Sequence, residues 1–228
     1  MIDDDKRAAA EAAVSEIRDG MLVGIGSGST VAFAIEAIGR RRAAEWPTAL
    51  FFATSQATWR AASAADIPIG RFSAVARLDL TIDGVDEIDP QFRAIKGGGG
   101  ALLREKIVAE ASVRMVAIAD SSKPVKQLGN APVPVEILPF AQAFAEARLA
   151  ALDSHPVLRM TAAGKAYRTN QGNLVLDCKF AAITNPEDLA REIEQIPGAL
   201  AHGLFLREID AAYVADAGIV TKMERQPL

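Results

Sequence analysis

The sequence predicts an α/β fold: a Rossmann-like, open and mostly parallel sheet, with a second, smaller α+β domain of ferredoxin-like order. Three observations carry that expectation. Short apolar runs alternate with helical stretches from residue 3 to residue 120, the pattern of parallel strands covered on both faces. From about residue 130 the pattern changes to β-α-β-β-α-β, the order of a split, ferredoxin-like unit. Glycine-rich or acidic segments follow directly after several of the strands, where open α/β sheets take their ligands.

Residues 3 to 19 read as a helix with Asp3, Asp4 and Asp5 in its first turn and Gly20 at its end. "MLVGIG" (21–26) is a buried strand, and "TVAFAIEAIGRRR" (30–42) a helix with arginines toward its C-terminal end. "ALFFAT" (49–54) is a strand, "QATWRAASAAD" (56–66) a helix and "LDLTI" (78–82) a strand running into acidic "DGVDEID". A helix spans roughly 100 to 111, and "RMVAIAD" (114–120) is a further strand. In the second part, "APVPVEILP" holds a short strand and "AQAFAEARLAAL" a helix. "VLRMTAA" and "NLVLDCKF" are strands joined through "GKAYRTNQG". "NPEDLAREIEQI" is a helix capped by Asn185 with Pro186 at its first position, and "GLFL" closes the unit as a strand. "AAYVADAGIV" is expected to return to the first sheet. The expected domains are therefore residues 1–129 with 203–228, and residues 130–202.

Bulk properties exclude several classes of function. The chain has 228 residues, half of them apolar, enough for a sizeable core. A formal charge of -4 without a basic run gives no reason to expect nucleic acid. Cys178 is the single cysteine, which excludes an intrachain disulfide and a thiolate metal site. The acidic start lacks the apolar stretch of a secretion signal, and no run suits a membrane span, so a cytoplasmic location is expected. His155 and His202 have no companions at metal-ligand spacing. Trp46, Trp59 and Cys178 read as packing residues.

Three segments carry chemistry. "GIGSGST" (24–30) joins a strand to a helix, where backbone amides and the helix dipole favour an anion. It lacks the sixth-position glycine of a dinucleotide fingerprint and the lysine of a nucleotide-hydrolase phosphate loop. What remains is a small nest of amides and hydroxyls from Ser27, Gly28, Ser29 and Thr30, suited to one phosphate monoester; the bland alternative is a tight turn with a hydroxyl cap. "DGVDE" leaves a strand end with Asp83 and Asp86 flanking a turn. The two carboxylates can move protons between hydroxyls or hold a divalent metal, or they form a solvated acidic turn. "KGGGGALLREK" (96–106) places Lys96 before four glycines and Glu105 inside the following helix. Glycines let several amides approach a ligand closely. At helical pitch Glu105 lies with Ala101, Leu102, Val108 and Ala109, whereas Lys106 and Glu110 share a more polar stripe. A carboxylate in that apolar neighbourhood can serve as a general base; a hinge with a structural ion pair is the alternative. "ADSSK" ends another strand and offers Lys123 to an anion, and Lys6 on the first helix is equally ambiguous.

Together, "GIGSGST", "DGVDE", "KGGGGALLREK", "IADSSK", "NQGNLVLD" and "IPG" resemble the type A ribose-5-phosphate isomerases over nearly the whole chain. The resemblance implies metal-independent and cofactor-free interconversion of ribose 5-phosphate and ribulose 5-phosphate. It implies that Glu105 is the base and that Asp83, Asp86 and Lys96 are the other catalytic groups. It implies substrate binding by Ser27, Gly28, Ser29, Thr30, Asp83, Gly84, Val85, Asp86, Lys96, Gly97, Gly98, Gly99 and Lys123. It also implies a homodimer or homotetramer. Ser27 stands where many members have threonine and Val85 where alanine is usual, and "ATSQAT" is only loosely like the family's serine-rich segment. A non-enzymatic sugar-phosphate sensor and an acyl-CoA transferase-like enzyme are the rival readings; a sensor has no need of Glu105 together with the aspartate pair, and a transferase would use a nucleophilic glutamate to form a thioester.

Overall fold

The computed structural model describes residues 2–46, 48–181 and 183–226; the outermost residues of the domain expected over 1–129 and 203–228 lie outside these. In chain order the elements begin α1 (Ile2–Val14), β1 (Leu22–Ile25), α2 (Ser29–Glu45), β2 (Leu50–Ala53), α3 (Gln56–Ala64), β3 (Leu80–Gly84), β4 (Glu87–Ile88) and β5 (Ala94–Ile95). They continue α4 (Leu102–Glu110), β6 (Met115–Asp120), β7 (Val133–Ile137), α5 (Gln142–Ala150), β8 (His155–Leu158) and β9 (Leu174–Lys179). The last are α6 (Pro186–Glu194), β10 (Ala199–His202), β11 (Leu204–Phe205), β12 (Ala211–Asp216) and β13 (Ile219–Glu224). Among the described residues no helix is long and apolar enough to cross a membrane.

The chain divides into two units. The first comprises Met1–Val85, Ile107–Lys123 and Arg207–Leu228. Its sheet has the order β13-β12-β6-β3-β1-β2. All neighbours are parallel except the β12–β13 pair. Strands this apolar must be covered on both faces, and Val23, Ile25, Leu80, Ile82, Val116 and Ile118 are buried. They share one core with Ala9, Ala13 and Val14 of α1 and Val31, Ala34 and Ile38 of α2. The open sheet reverses direction beside β1, with β2 on one side and β3 on the other, so the crevice at the C-terminal ends of β1 and β3 is the expected ligand position.

α1 ends at Val14 rather than running to residue 19. The amides of Ser15, Glu16 and Ile17 bond three residues back, tightening the last turn, and Glu16 is drawn into a bidentate pair with Arg114 (2.6 and 3.1 Å). Lys222 and the Tyr213 hydroxyl converge on the same carboxylate at 3.2 and 2.8 Å. Burial pushes Glu16 up, but its bonds from Arg114, Tyr213 and Lys222 together outweigh that and hold it at about 2.

The second unit comprises Asp86–Lys106 and Pro124–Leu206. Its antiparallel sheet has the order β10-β7-β9-β8, built from the run β7-α5-β8-β9-α6-β10, which is the expected split order. Three details differ from the sequence reading. The closing strand is β10 at Ala199–His202; the "GLFL" run instead gives β11, which pairs with β5 in a small sheet ordered β11-β5-β4. β8 spans His155–Leu158 and stops short of 163, because residues 161–165 turn back through Gly164 at φ 70° with the Thr161 amide on the Lys165 carbonyl. Residues 86–106 and 124–129 pack with this unit, since Ile95 and Leu128 lie in its core with Val133, Val135, Leu174 and Leu204. Cys178 is buried there and burial pushes its thiol up to about 12, which fits a packing role. Trp46 is buried as expected, but Trp59 is half exposed.

Candidate active site

In the first unit, the candidate residues collect at the C-terminal ends of β1, β3 and β6. The Gly26 amide bonds the Ile82 carbonyl (2.9 Å), which ties the glycine turn to β3. Asp83, fully buried, accepts the Ser27 amide at 3.1 Å and its neighbour Gly84's amide at 2.7 Å on one oxygen, Oδ1. Gly26 faces this carboxylate so closely that any Cβ there would overlap it. Gly28, at φ 103°, caps α2 without a side-chain bond, so the hydroxyl cap weighed as the bland reading is not formed. Ser29 is exposed and Thr30 buried.

Ser55 and Thr58 brace this turn from behind. Thr58 Oγ1 donates to the Gly26 carbonyl at 2.7 Å, and Ser55 caps α3 by accepting the Thr58 amide. Lys123 follows β6, one turn after Asp120. Burial pushes the Asp120 carboxyl up, yet bonds from Ser122 and the charges of Lys123 and Lys6 outweigh it and hold Asp120 below the usual range. Lys6 thus acts on the same strand end, although no motif in α1 announces it.

In the second unit the glycine segment brings together Asp86, Lys96 and Glu105. Lys96 and Glu105 are 2% and 3% exposed, with Nζ and Oε2 3.4 Å apart. Glu105 sits in the first turn of α4, on the face shared with buried Ala101, Leu102, Val108 and Ala109, as helical spacing predicts. Lys96 Nζ also stands 5.2 Å from the centroid of the buried Phe205 ring. Lys106 departs from its expected polar stripe: it lies 4.5 Å from the same ring and donates to the Leu204 carbonyl at 2.5 Å. Asp86 Oδ2 accepts the Gly98 amide at 2.8 Å.

The glycine run has local reasons. Gly97 and Gly100 occupy φ 101° and 77°, and a Cβ at Gly98 would meet Asp86 Oδ1 at 2.8 Å. Sequence reasoning missed Arg159, Tyr167 and Asp177, whose side chains reach or support this run; no local signal links them to it. Among the described residues no group of three or more His, Cys, Asp or Glu side chains could hold a metal ion. A cavity of about 310 Å³ in the second unit, lined by residues such as Leu152, Phe180 and Glu192, contains none of the candidate residues.

A doubly wound sheet with a glycine turn at its reversal point defines an α/β protein that takes its ligand at the strand ends. The chain belongs to the ribose 5-phosphate isomerase A (phosphoriboisomerase A) family, whose model matches residues 50–218. It is 50% identical over 222 residues to a ribose-5-phosphate isomerase A of Sphingopyxis alaskensis, covering 97% of this chain and 96% of that one. It is 42% identical to the Roseiflexus castenholzii protein of the same name, covering 96% and 94%. Among solved structures, ribose 5-phosphate isomerase A of Neisseria gonorrhoeae superposes with a TM-score of 0.92 at 36% identity, covering 100% of this chain and 99% of that one. A D-ribose-5-phosphate isomerase in complex with phospho-erythronic acid gives 0.95 at 33%, covering 99% and 100%.

Proposed function

We propose that the protein interconverts D-ribose 5-phosphate and D-ribulose 5-phosphate through an enediolate, in the non-oxidative pentose phosphate pathway. The observation that carries this reading is the buried Lys96–Glu105 pair on a glycine segment whose Gly98 and Gly99 are exposed. A carboxylate in an apolar niche can serve as a general base, and an ammonium next to it is a counter-charge for an oxyanion.

The reaction begins with ring opening, which moves a proton between the ring oxygen and O1; Asp83 or Asp86 assists. Glu105 then takes the proton from C2 of the aldose. The C–H electron pair forms the C1–C2 double bond of the enediolate, and negative charge passes to the former carbonyl oxygen. Lys96 and the glycine amides stabilise that charge. The O2 hydroxyl proton then passes to O1, moving the negative charge to O2; as the C2 carbonyl forms, protonated Glu105 delivers its proton to C1, giving the ketose. One base serves both carbons because they are adjacent on one face.

The residues 27–30 turn, with Lys123, grips the phosphate. That grip supplies binding energy remote from the reacting carbons, which holds them in place. Gly84 and Val85 line the sugar beside Asp83. The protein needs no metal or organic cofactor for these steps.

The reading also includes a cytoplasmic homodimer or homotetramer. Support comes from exposed Leu138, Phe140, Phe144 and Leu200 in the second unit, apolar surface that a partner copy would cover. Sedimentation analysis gives the assembly.

The decisive experiment is incubation with ribose 5-phosphate in heavy water. Ketose carrying deuterium at C1 supports the mechanism, and absence of ketose overturns the function.

A further inference from the structure

The glycine run is held by side chains that the isomerase reading leaves without a task. Arg159 forms a bidentate pair with Asp177, Nε to Oδ2 at 2.8 Å and Nη2 to Oδ1. Its remaining nitrogen, Nη1, donates to the carbonyls of both Gly97 (3.0 Å) and Gly98 (3.1 Å). Tyr167 lies under the same guanidinium, with its ring centroid 5.8 Å away, and its hydroxyl donates to the Gly99 carbonyl at 3.2 Å. Three successive glycine carbonyls are thus fixed by two side chains. Arg159 is mostly buried, so its geometry is set by Asp177 rather than by solvent.

The consequence follows from peptide planarity. In a trans peptide the N–H of one residue points opposite to the preceding carbonyl, and no cis bond occurs among the described residues. Pinning the Gly97 carbonyl therefore aims the Gly98 N–H away from Arg159, and that N–H is found on Asp86 Oδ2 at 2.8 Å. Pinning the Gly98 carbonyl aims the Gly99 N–H the same way. Among the described residues that N–H meets no acceptor, and Gly99 is exposed. The Gly100 amide closes the turn onto the Gly97 carbonyl at 2.9 Å. Four glycines in sequence would otherwise have great freedom to rotate these planes.

We propose that Arg159, seated on Asp177 and assisted by Tyr167, is the positioning residue that keeps the Gly98 amide on Asp86 and orients the Gly99 amide toward the enediolate oxygen. It touches no reacting atom. It acts by removing, before substrate arrives, the rotational freedom of the donors, so their dipoles need no reorganisation when charge develops. This role rests on the isomerase reading above.

The test compares wild type, Arg159→Ala and Tyr167→Phe with three probes: ribose 5-phosphate turnover, inhibition by phospho-erythronate, and inhibition by inorganic phosphate. Phospho-erythronate carries a carboxylate where the enediolate oxygens form. Misaimed oxyanion donors cost about 10²-fold in rate. In Arg159→Ala, kcat is expected to fall by about that factor with KM within about twofold, because the phosphate grip is elsewhere. Phospho-erythronate affinity is expected to fall in step with kcat/KM while phosphate inhibition stays unchanged.

A merely structural role would lower all three together or none, and either result overturns the proposal. If Arg159→Ala does not fold, Tyr167→Phe decides, since it removes a single hydroxyl: a lower kcat at constant KM supports the role and an unchanged kcat overturns it. Active wild type with unaffected variants removes the positioning role alone. Inactive wild type removes the isomerase reading and this role with it.

Discussion

Gly26→Ala isolates the coupling between the phosphate turn and Asp83. The backbone of Gly26 is not in the left-handed region, so alanine costs nothing in φ. The obstacle is space: a Cβ there would overlap the Asp83 carboxylate, well inside the 3.0 Å below which real Cβ contacts essentially do not occur. Asp83 must move, and its Oδ1 is the oxygen that accepts the Ser27 amide at 3.1 Å and the Gly84 amide at 2.7 Å. Bonds to a charged group contribute about 1.5–3 kcal/mol each, so losing both costs about 3–6 kcal/mol. At about 2–4 °C per kcal/mol for a chain of this size, the melting temperature falls by at least about 6 °C. A displacement of about 1 Å in a reacting group lowers turnover by about 10²-fold.

Gly84→Ala is the stability control. Its Cβ would meet only the Ser27 carbonyl, at 3.8 Å, an ordinary contact. A compatible Gly→Ala change shifts stability by only about 0.4–1 kcal/mol. Circular-dichroism melts and a direct assay of ketose formation read both variants. If Gly26→Ala melts and turns over like wild type, Asp83 is not held as argued and its proposed role in ring opening is lost.

Other consequences can be measured separately. Glu105→Gln should still be inhibited by inorganic phosphate but lose turnover by about 10⁴-fold or more, because base and positioning effects each contribute about 10² or more; near-normal ketose formation would remove Glu105 from the role. Glu16 is lowered from an ordinary 4.5 to about 2, so it stabilises the fold above about pH 4.5 and loses that contribution as pH falls toward 2. Glu16→Gln should therefore melt below wild type at pH 7, with the gap closing between pH 4.5 and 2; a gap independent of pH would refute the Arg114, Tyr213 and Lys222 network as its source. Activity should be unchanged in EDTA, whereas loss restored by magnesium or manganese would place a metal at Asp83 and Asp86.

The placement of Glu105 was legible because it is local. Glycine and lysine at fixed spacing before a helix, and a carboxylate on that helix's apolar face, led directly to the Lys96–Glu105 pair, since helical pitch fixes which neighbours Glu105 meets. The β-α-β-β-α-β run was legible for the same reason, through its periodicity and the Asn185 cap, which accepts the Asp188 amide at 3.3 Å. Where two apolar runs competed, periodicity failed: "GLFL" and Ala199–His202 both suit a strand, and long-range pairing with β7 selected the latter.

Sequence alone determined the kind of elements, their order and the residue types at each strand end, because backbone propensity, side-chain period and turn chemistry act over a few neighbours. Only the tertiary structure decided which groups complete those turns. Thr58 reaches the Gly26 carbonyl from another strand–helix connection, and Arg159 and Tyr167 reach the glycine run across some sixty residues of chain. Hydrogen bonds between residues that distant form only once burial has brought their elements together, so no spacing in the chain announces them.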